Sequence, residues 1–402
     1  MNLQMTKLGE ICEFINGDRG KNYPSGNDIV KEGVPFINAG HIQNNKINLE
    51  EMNYITEEKY NLLGSGKIKK GDIVYCLRGS LGKYGIISLE KGAIASSLVI
   101  LRPNKCIVEP RFLMHYLGST YIQKQIYKAN NGSSQPNLSA QSVKNFDIYL
   151  PCLNIQIKIA NILDQAQELI DKRKAQIEAL DELIQSVFYE MFGDPVQNPF
   201  SFDQYKIKDL VIDDKYAIKA GPFGSALKKE YYVESGYKVY GQEQVIQGDL
   251  AYGDYYIDED RYRMLEYCKI QWCDLLFSLV VTFGKMLVVP DNFQEGIINP
   301  RLMKISFDQS KILPQFFKSM FQNEAMIKYM NRNTHGATMG ILNTTIIKEL
   351  NVIVPSLEMQ LDYLNRRMFI EKQKELLNES LVELENNFYS LMQRAFNGEP
   401  LC

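Results

Sequence analysis

Long apolar runs are missing from this sequence of 402 residues, and with them the stretch of about 18 residues that a membrane-spanning helix needs. The first residues, Met1-Asn-Leu-Gln-Met-Thr-Lys7, carry no charged segment leading into an apolar one, so no export signal is expected and the cytoplasm is the expected compartment. Metal-binding residues are equally sparse. Only three histidines occur, none of the seven cysteines forms a Cys-x-x-Cys pair, and the closest pair, Cys268 and Cys273, has no histidine nearby. A structural zinc site needs four such ligands, so no metal and reduced thiols are expected. Nucleotide chemistry is also excluded. Gly82-Lys83 and Gly284-Lys285 lack both the glycine-rich approach and the following Ser or Thr of a phosphate loop. Asp258-Glu-Asp260 reads as a solvated loop, and no carboxylate cluster for a nuclease metal is evident.

What is present is the composition of a globular protein, 45% hydrophobic and 23% charged, too long for one ordinary core. The net charge of −3 argues against a polyanionic partner only as a total. By segment, Lys+Arg against Asp+Glu is 18 to 13 over residues 1–150, 4 to 8 over 151–199, 18 to 19 over 200–354 and 5 to 8 over 355–402. The first segment is basic, and local patches decide phosphate binding.

The sequence contains itself twice. Gly132, Lys144, Pro151, Leu153 and Gln156 recur as Gly336, Lys348, Pro355, Leu357 and Gln360, each 204 residues on. Gly71-Asp-Ile-Val-Tyr75 with Gly82-Lys83 recurs as Cys273-Asp-Leu-Leu-Phe277 with Gly284-Lys285, at an offset of 202. Matches in one order with a small drift are what duplication with short loop insertions produces. Each copy opens with short apolar runs bounded by turn residues, such as Val34–Ile37, Asp72–Tyr75, Tyr84–Ile87 and Ser97–Leu101, which read as strands. Short helices are expected over residues 110–127 and 314–330. Each copy then ends in a long helix. Ile155, Ile159, Ile162, Ala166, Leu169, Ile177, Leu180, Ile184, Val187 and Met191 mark one apolar seam, and Leu377, Leu381, Leu384, Phe388, Leu391 and Ala395 mark the other. The expected class is α+β: two tandem β-rich domains at 1–152 and 194–355, each followed by a helix (153–193 and 356–402). The two helices are expected to pair as a coiled coil with approximate two-fold symmetry.

The chain resembles the specificity subunits of type I restriction-modification systems over nearly its whole length. The resemblance is carried by Gly71-Asp-Ile-Val-Tyr75 with Gly79-Ser-Leu-Gly-Lys-Tyr-Gly85, by the twin from Asp274 to Lys285, by the segments ending at Pro151 and Pro355, and by Leu384-Glu-Asn-Asn-Phe-Tyr-Ser-Leu-Met-Gln-Arg-Ala-Phe-Asn-Gly-Glu399. It implies two target-recognition domains, each reading half of an asymmetric, bipartite sequence in double-stranded DNA, with the helices, as an antiparallel coiled coil, setting the gap. It also implies docking of two methyltransferase subunits, which hold S-adenosylmethionine and methylate adenine, and of restriction subunits that cut. This chain would bind no cofactor and catalyse nothing. Its sequence agrees: Asn198-Pro199-Phe200 lacks the second proline of the adenine methyltransferase motif. A specificity chain of a related fused system, or a helical scaffold binding only proteins, are the alternatives; the second leaves the loops rich in Arg, Lys, Asn and Ser unexplained.

Such loops supply the candidate DNA contacts, because base edges are read by Arg, Lys, Asn, Gln, Ser and Thr while many further contacts go to phosphate. In the first domain they are Arg19, Lys21, Asn22, Tyr23, Asn38, His41, Arg78, Ser80, Lys83, Tyr84, Asn131, Ser133, Ser134 and Gln135. In the second they are Lys219, Phe223, Ser225, Lys228, Gln242, Gln244, Thr282, Lys285, Arg332, His335 and Thr338. Turn chemistry accounts for any one of these about as well. Lys83 and Lys285 recur in both copies, as either a shared phosphate contact or a shared strand-end turn would make them, and phosphate is the expected role. Arg78 has no basic counterpart, since Leu279-Val-Val281 fills that stretch, as expected of a base-reading position and equally of drift.

Overall fold

The computed structural model describes residues 4–129, 137–223, 226–279, 285–333 and 344–397. The chain divides into two units, Met1–Ala175 with Asn378–Cys402, and Gln176–Leu377. In the first, the main sheet runs in the order Cys12–Asn16, Leu98–Pro103, Ile73–Cys76, Tyr84–Ile86, Lys46–Ile47, Ile42–Gln43. In the second, Ile218–Ala220, Leu302–Ile305, Leu275–Ser278 and Met286–Val288 follow the same order. A second, four-stranded sheet accompanies each, smaller than the main sheet in the first unit and equal to it in strand number in the second, and each has a pair closing the domain, Gln4–Lys7 with Asp147–Leu150 and Gln204–Lys206 with Asn351–Ile353.

The central strands are apolar without alternation because both of their faces are covered. Val99, Leu101, Ile73 and Tyr75 join a core with Phe112, Tyr116 and the long-helix residues Ile159 and Phe396. Leu98, Ile100, Val74 and Cys76 join a second core with Ile37 and Ile94 from the smaller sheet. The second unit divides its side chains likewise: Leu275, Phe277, Met303 and Ile305 face Phe316 and Tyr363, while Leu276 and Leu302 face Val239 and Ile297.

Six helices frame these cores: α1 (Pro110–Leu117), α2 (Thr120–Ala129), α3 (Leu153–Phe192), α4 (Pro314–Phe321), α5 (Glu324–Asn333) and α6 (Leu357–Asn397). α1 and α4 both begin on proline, which has no N–H to lose at a first helical position. Within each unit α3 and α6 run antiparallel. Lys174 pairs with Glu385 at 2.8 Å in the first, and in the second Lys374 pairs with Asp181 while the rings of Phe188 and Phe192 meet Tyr363.

The α3 seam differs from its expected register. Ile159 is buried as expected, but Ala160, Leu163 and Ile170 take the interior places, Ile162 is only half-buried and Leu169 is 54% exposed. The helix covers its own domain as well as α6, and a surface wider than a coiled-coil seam selects a broader, shifted face. Five of the six α6 seam residues keep their places, Phe388 and Ala395 buried with Leu381, Leu384 and Leu391 packed beside them, while Leu377 is half-buried outside both cores.

The duplication is visible at atomic detail. The Gln156 side chain is fully buried; its Oε1 accepts from Glu109 N–H at 2.8 Å and its Nε2 donates to the carbonyls of Ile107 and Pro151. Gln360 repeats every bond, with Leu313 N–H and the carbonyls of Lys311 and Pro355. Asp72 is buried against the Arg102 guanidinium at 2.8 and 2.9 Å. Its twin Asp274 is buried 3.8 Å from Lys304, also receives Ser306 Oγ, and burial raises its carboxyl above the usual range. Gly71 sits at φ +87°, and Cys273 holds the same left-handed position at φ +66°, a conformation that costs a side-chain-bearing residue.

Candidate nucleic-acid interface

The tight turn after strand Ile73–Cys76 carries two exposed residues of the expected contacts in the first unit. Arg78 and Ser80 project from it, and neither side chain has a partner among the described residues. The turn is pinned from behind: Cys76 N–H donates to the Lys83 carbonyl at 2.7 Å, Leu138 N–H donates to the Leu77 carbonyl at 2.8 Å, and Arg78 bridges Asn137 in antiparallel register. Lys83 is half-buried, and its ammonium donates to the Ala39 carbonyl at 3.1 Å. That bond ties the Asn38–His41 turn to the Arg78 turn. Lys83 therefore carries a structural contact of its own, unlike Lys285, which is exposed.

The Asp18–Tyr23 loop is held the same way. The Asp18 carboxylate accepts from Gly20 and Gly64 N–H at 2.7 Å each, and these bonds hold its carboxyl below the usual range. Arg19 donates to the Ser96 carbonyl, Asn22 donates to that of Leu62, and the Tyr23 ring packs edge-on against Phe36. Lys21 is exposed with no partner among the described residues.

In the second unit the Lys219 ammonium lies 4.9 Å from the Tyr267 ring centroid and 5.7 Å from that of Tyr216, a cation–π clamp. Phe223 is 71% exposed, Lys228 pairs with Glu230 at 3.3 Å, and Arg332 is exposed on the last turn of α5. Lys285 lines a recess of about 710 Å3 with Asp181, Arg367, Glu371 and Lys374.

Four expected contacts lie beneath the surface instead. His41 is 7% exposed, its Nδ1 accepts from Asn38 N–H at 3.1 Å, and burial lowers its pKa. Asn38 itself accepts from Gly40 N–H. Tyr84 is buried, and desolvation pushes its hydroxyl up to about 12. Gln242 donates to Ser278 Oγ at 2.7 Å, and Gln244 joins Gly241 N–H to the Tyr252 carbonyl. Polar residues at turns and strand ends complete the backbone hydrogen-bond inventory, and from sequence they look the same as base readers. Asn131, Ser133, Ser134, Gln135, Ser225, Thr282, His335 and Thr338 lie outside the described residues.

Sequence reasoning passed over Tyr127, at 84% the most exposed large aromatic or aliphatic side chain among the described residues. The available signal was charge: no Asp or Glu occurs between Glu109 and Asp147, while Arg111, Lys124, Lys128 and Lys144 do. Among the described residues no cluster of three or more His, Cys, Asp or Glu could hold a metal ion, and no helix is long and apolar enough to cross a membrane.

Residues 2–179 match the family model described as the type I restriction modification DNA specificity domain. A putative type I restriction enzyme MjaX specificity subunit from Methanocaldococcus jannaschii is 23% identical, over 98% of this chain and 93% of its own length. The StySPI specificity subunit of Salmonella potsdam is also 23% identical, over 98% and 88%. Among solved structures, a chain from a study of complex assembly and conformational transition of the type I R-M system superposes with a TM-score of 0.66, at 16% identity, over 98% of this chain and 97% of that one. The S subunit from M. genitalium gives 0.51, at 14% identity, over 98% and 96%.

Proposed function

We propose that the chain is a non-catalytic, DNA-recognising specificity subunit of the type I restriction-modification kind, whose DNA specificity domain model its residues 2–179 match and whose members it resembles over nearly its whole length. One observation carries the proposal. The interiors of the two copies repeat bond for bond at Gln156 and Gln360, while the sequence after the matching strands diverges, with Arg78 in one copy and Leu279-Val-Val281 in the other. A shared scaffold with unlike surfaces is what reading two different half-sites requires. The Arg78 turn reads base edges in one half-site, where a bidentate arginine–guanine contact discriminates by about 1–3 kcal/mol. Phe223 and Arg332, each exposed in the second unit, are the candidates for the other half.

The helices serve the protein partners. α3 exposes Leu169 and Leu183, and α6 exposes Leu361, Met368, Phe369, Leu376 and Val382, at 44% to 66%. Apolar side chains left uncovered in such number mark a protein-binding surface. Two methyltransferase subunits dock there, bringing S-adenosylmethionine and the adenine chemistry; restriction subunits join that assembly, which works on DNA in the cytoplasm. The chain itself holds no cofactor.

Co-expression with the methyltransferase subunit, followed by genome-wide mapping of methylated adenines, tests this. A split motif with a fixed gap is the expected result. A continuous palindrome, or no methylation from an assembled complex, overturns it.

A further inference from the structure

The outer face of α2 lies outside the expected DNA-contacting loops. Ile122 and Ile126 anchor the helix in the core of the first unit, leaving Gln123, Lys124, Tyr127 and Lys128 exposed. At 100° per residue these four form one stripe. The stripe adjoins the Arg78 turn. A β-carbon on Gly82, at φ +75°, would fall 2.7 Å from Ile126 Cδ1 and 3.9 Å from Gln123 Nε2, so the turn rests directly on this helix. Beyond α2 the chain runs antiparallel to Arg78 at Asn137. Arg78, Ser80 and the α2 stripe therefore make a single surface.

The charge on that surface is uncompensated. Lys124 and Lys128 form no ion pair with any described residue, in a stretch without Asp or Glu from Pro110 to Phe146. The Asp147 carboxylate, next along the chain, is paired with Lys7 at 2.5 Å. Two free ammonium groups one helical turn apart, with an exposed tyrosine ring beside them, form a cationic and aromatic face of the kind that suits a polyanion with sugar edges. The second copy differs. In α5, Lys328, at the place of Lys124, is paired with Glu324 at 2.5 Å, and Asn331 stands where Tyr127 does. Arg332 matches Lys128.

We infer that α2 is a backbone clamp of the first recognition domain: Lys124 and Lys128 contact neighbouring phosphates of duplex DNA, and the Tyr127 ring packs on the sugar edge between them. This positions the Arg78 turn over the bases. The inference rests on the DNA-recognition reading and adds residues to it.

The test uses the full chain and a mixed-sequence DNA duplex, with affinity followed by fluorescence anisotropy across a salt series. Lys124→Ala/Lys128→Ala lowers the slope of log K against log salt by about 1.8, since each neutralised phosphate contributes about 0.9. Tyr127→Ala weakens binding about tenfold, and Tyr127→Phe restores most of it. Lys70→Ala/Lys91→Ala, which removes lysines already paired with Glu90 and Glu57, leaves the slope unchanged. A wild-type slope in the α2 double variant, with thermal unfolding unaltered, overturns the clamp while the recognition reading stands. Loss of methyltransferase co-purification with the slope intact assigns the stripe to a protein and also overturns it. No salt-dependent binding by the wild-type chain removes the recognition reading and the clamp together.

Discussion

A single glutamine shows how little sequence signal a structural residue needs. Gln156 and Gln360 are each fully buried and each satisfy one backbone N–H and two carbonyls at the junction where a domain passes into its long helix. Replacing either with leucine preserves volume but strands three buried polar groups, at about 1–3 kcal/mol each before relaxation. Urea unfolding is expected to register a destabilisation of about 3 kcal/mol at both positions; a change under about 0.5 kcal/mol at either would show that water or a neighbour replaces the amide. Glu349 offers a pH test at the same scale. Lys206 and Lys208, both 2.7 Å away, draw its carboxyl from 4.5 down to about 2. The folded pKa lies below the unfolded one, so the contribution is present above about pH 4.5 and disappears as pH falls toward 2. Glu349→Gln should flatten acid unfolding within that window and change nothing at neutral pH beyond the small worth of an exposed pair. An identical acid profile in the variant would mean that Glu349 plays no part in acid unfolding.

At the scale of elements, α3 and α6 face two ways. Their inner faces belong to the domain cores. Phe396 packs 5.3 Å from Phe112 and 5.6 Å from Tyr116, and Phe192 packs 5.0 Å from Phe316. Phe396→Ala and Phe192→Ala should each cost about 3–5 kcal/mol, read as loss of the cooperative unfolding of the unit concerned. Leu169→Ala, on the exposed face, should cost under about 0.5 kcal/mol of stability yet weaken retention of the methyltransferase partner. If Leu169→Ala destabilised the chain as much as Phe396→Ala, the expected seam register would be right and the shifted face wrong.

For the whole molecule, the duplication predicts independence of the two readings. Arg78→Ala in the assembled methyltransferase should relax one half of the methylated motif, by about 1–3 kcal/mol of discrimination, and leave the other half unaltered. Relaxation of both halves would mean that Arg78 supports the assembly generally; an unchanged motif would mean that it reads no base.

The sequence alone determined the repeat, the α+β class and both long helices, because offsets and apolar periodicity are properties of the chain read in order; the antiparallel direction of the helix pair was implied only by the family resemblance and is seen in the structure. It also exposed the basic, acid-free stretch around α2, though as composition without a location. Tertiary structure decided which loop residues face outward. Gln244, His41 and Tyr84 resemble Arg78 as polar or aromatic residues of loops, yet they complete the interior. Burial depends on what distant segments place above a residue, as Tyr252 does for Gln244 and Ala39 does for Lys83. It decided the α3 face for the same reason: a helix packed against both a domain and a partner helix buries the side dictated by their combined surface, which no local spacing encodes.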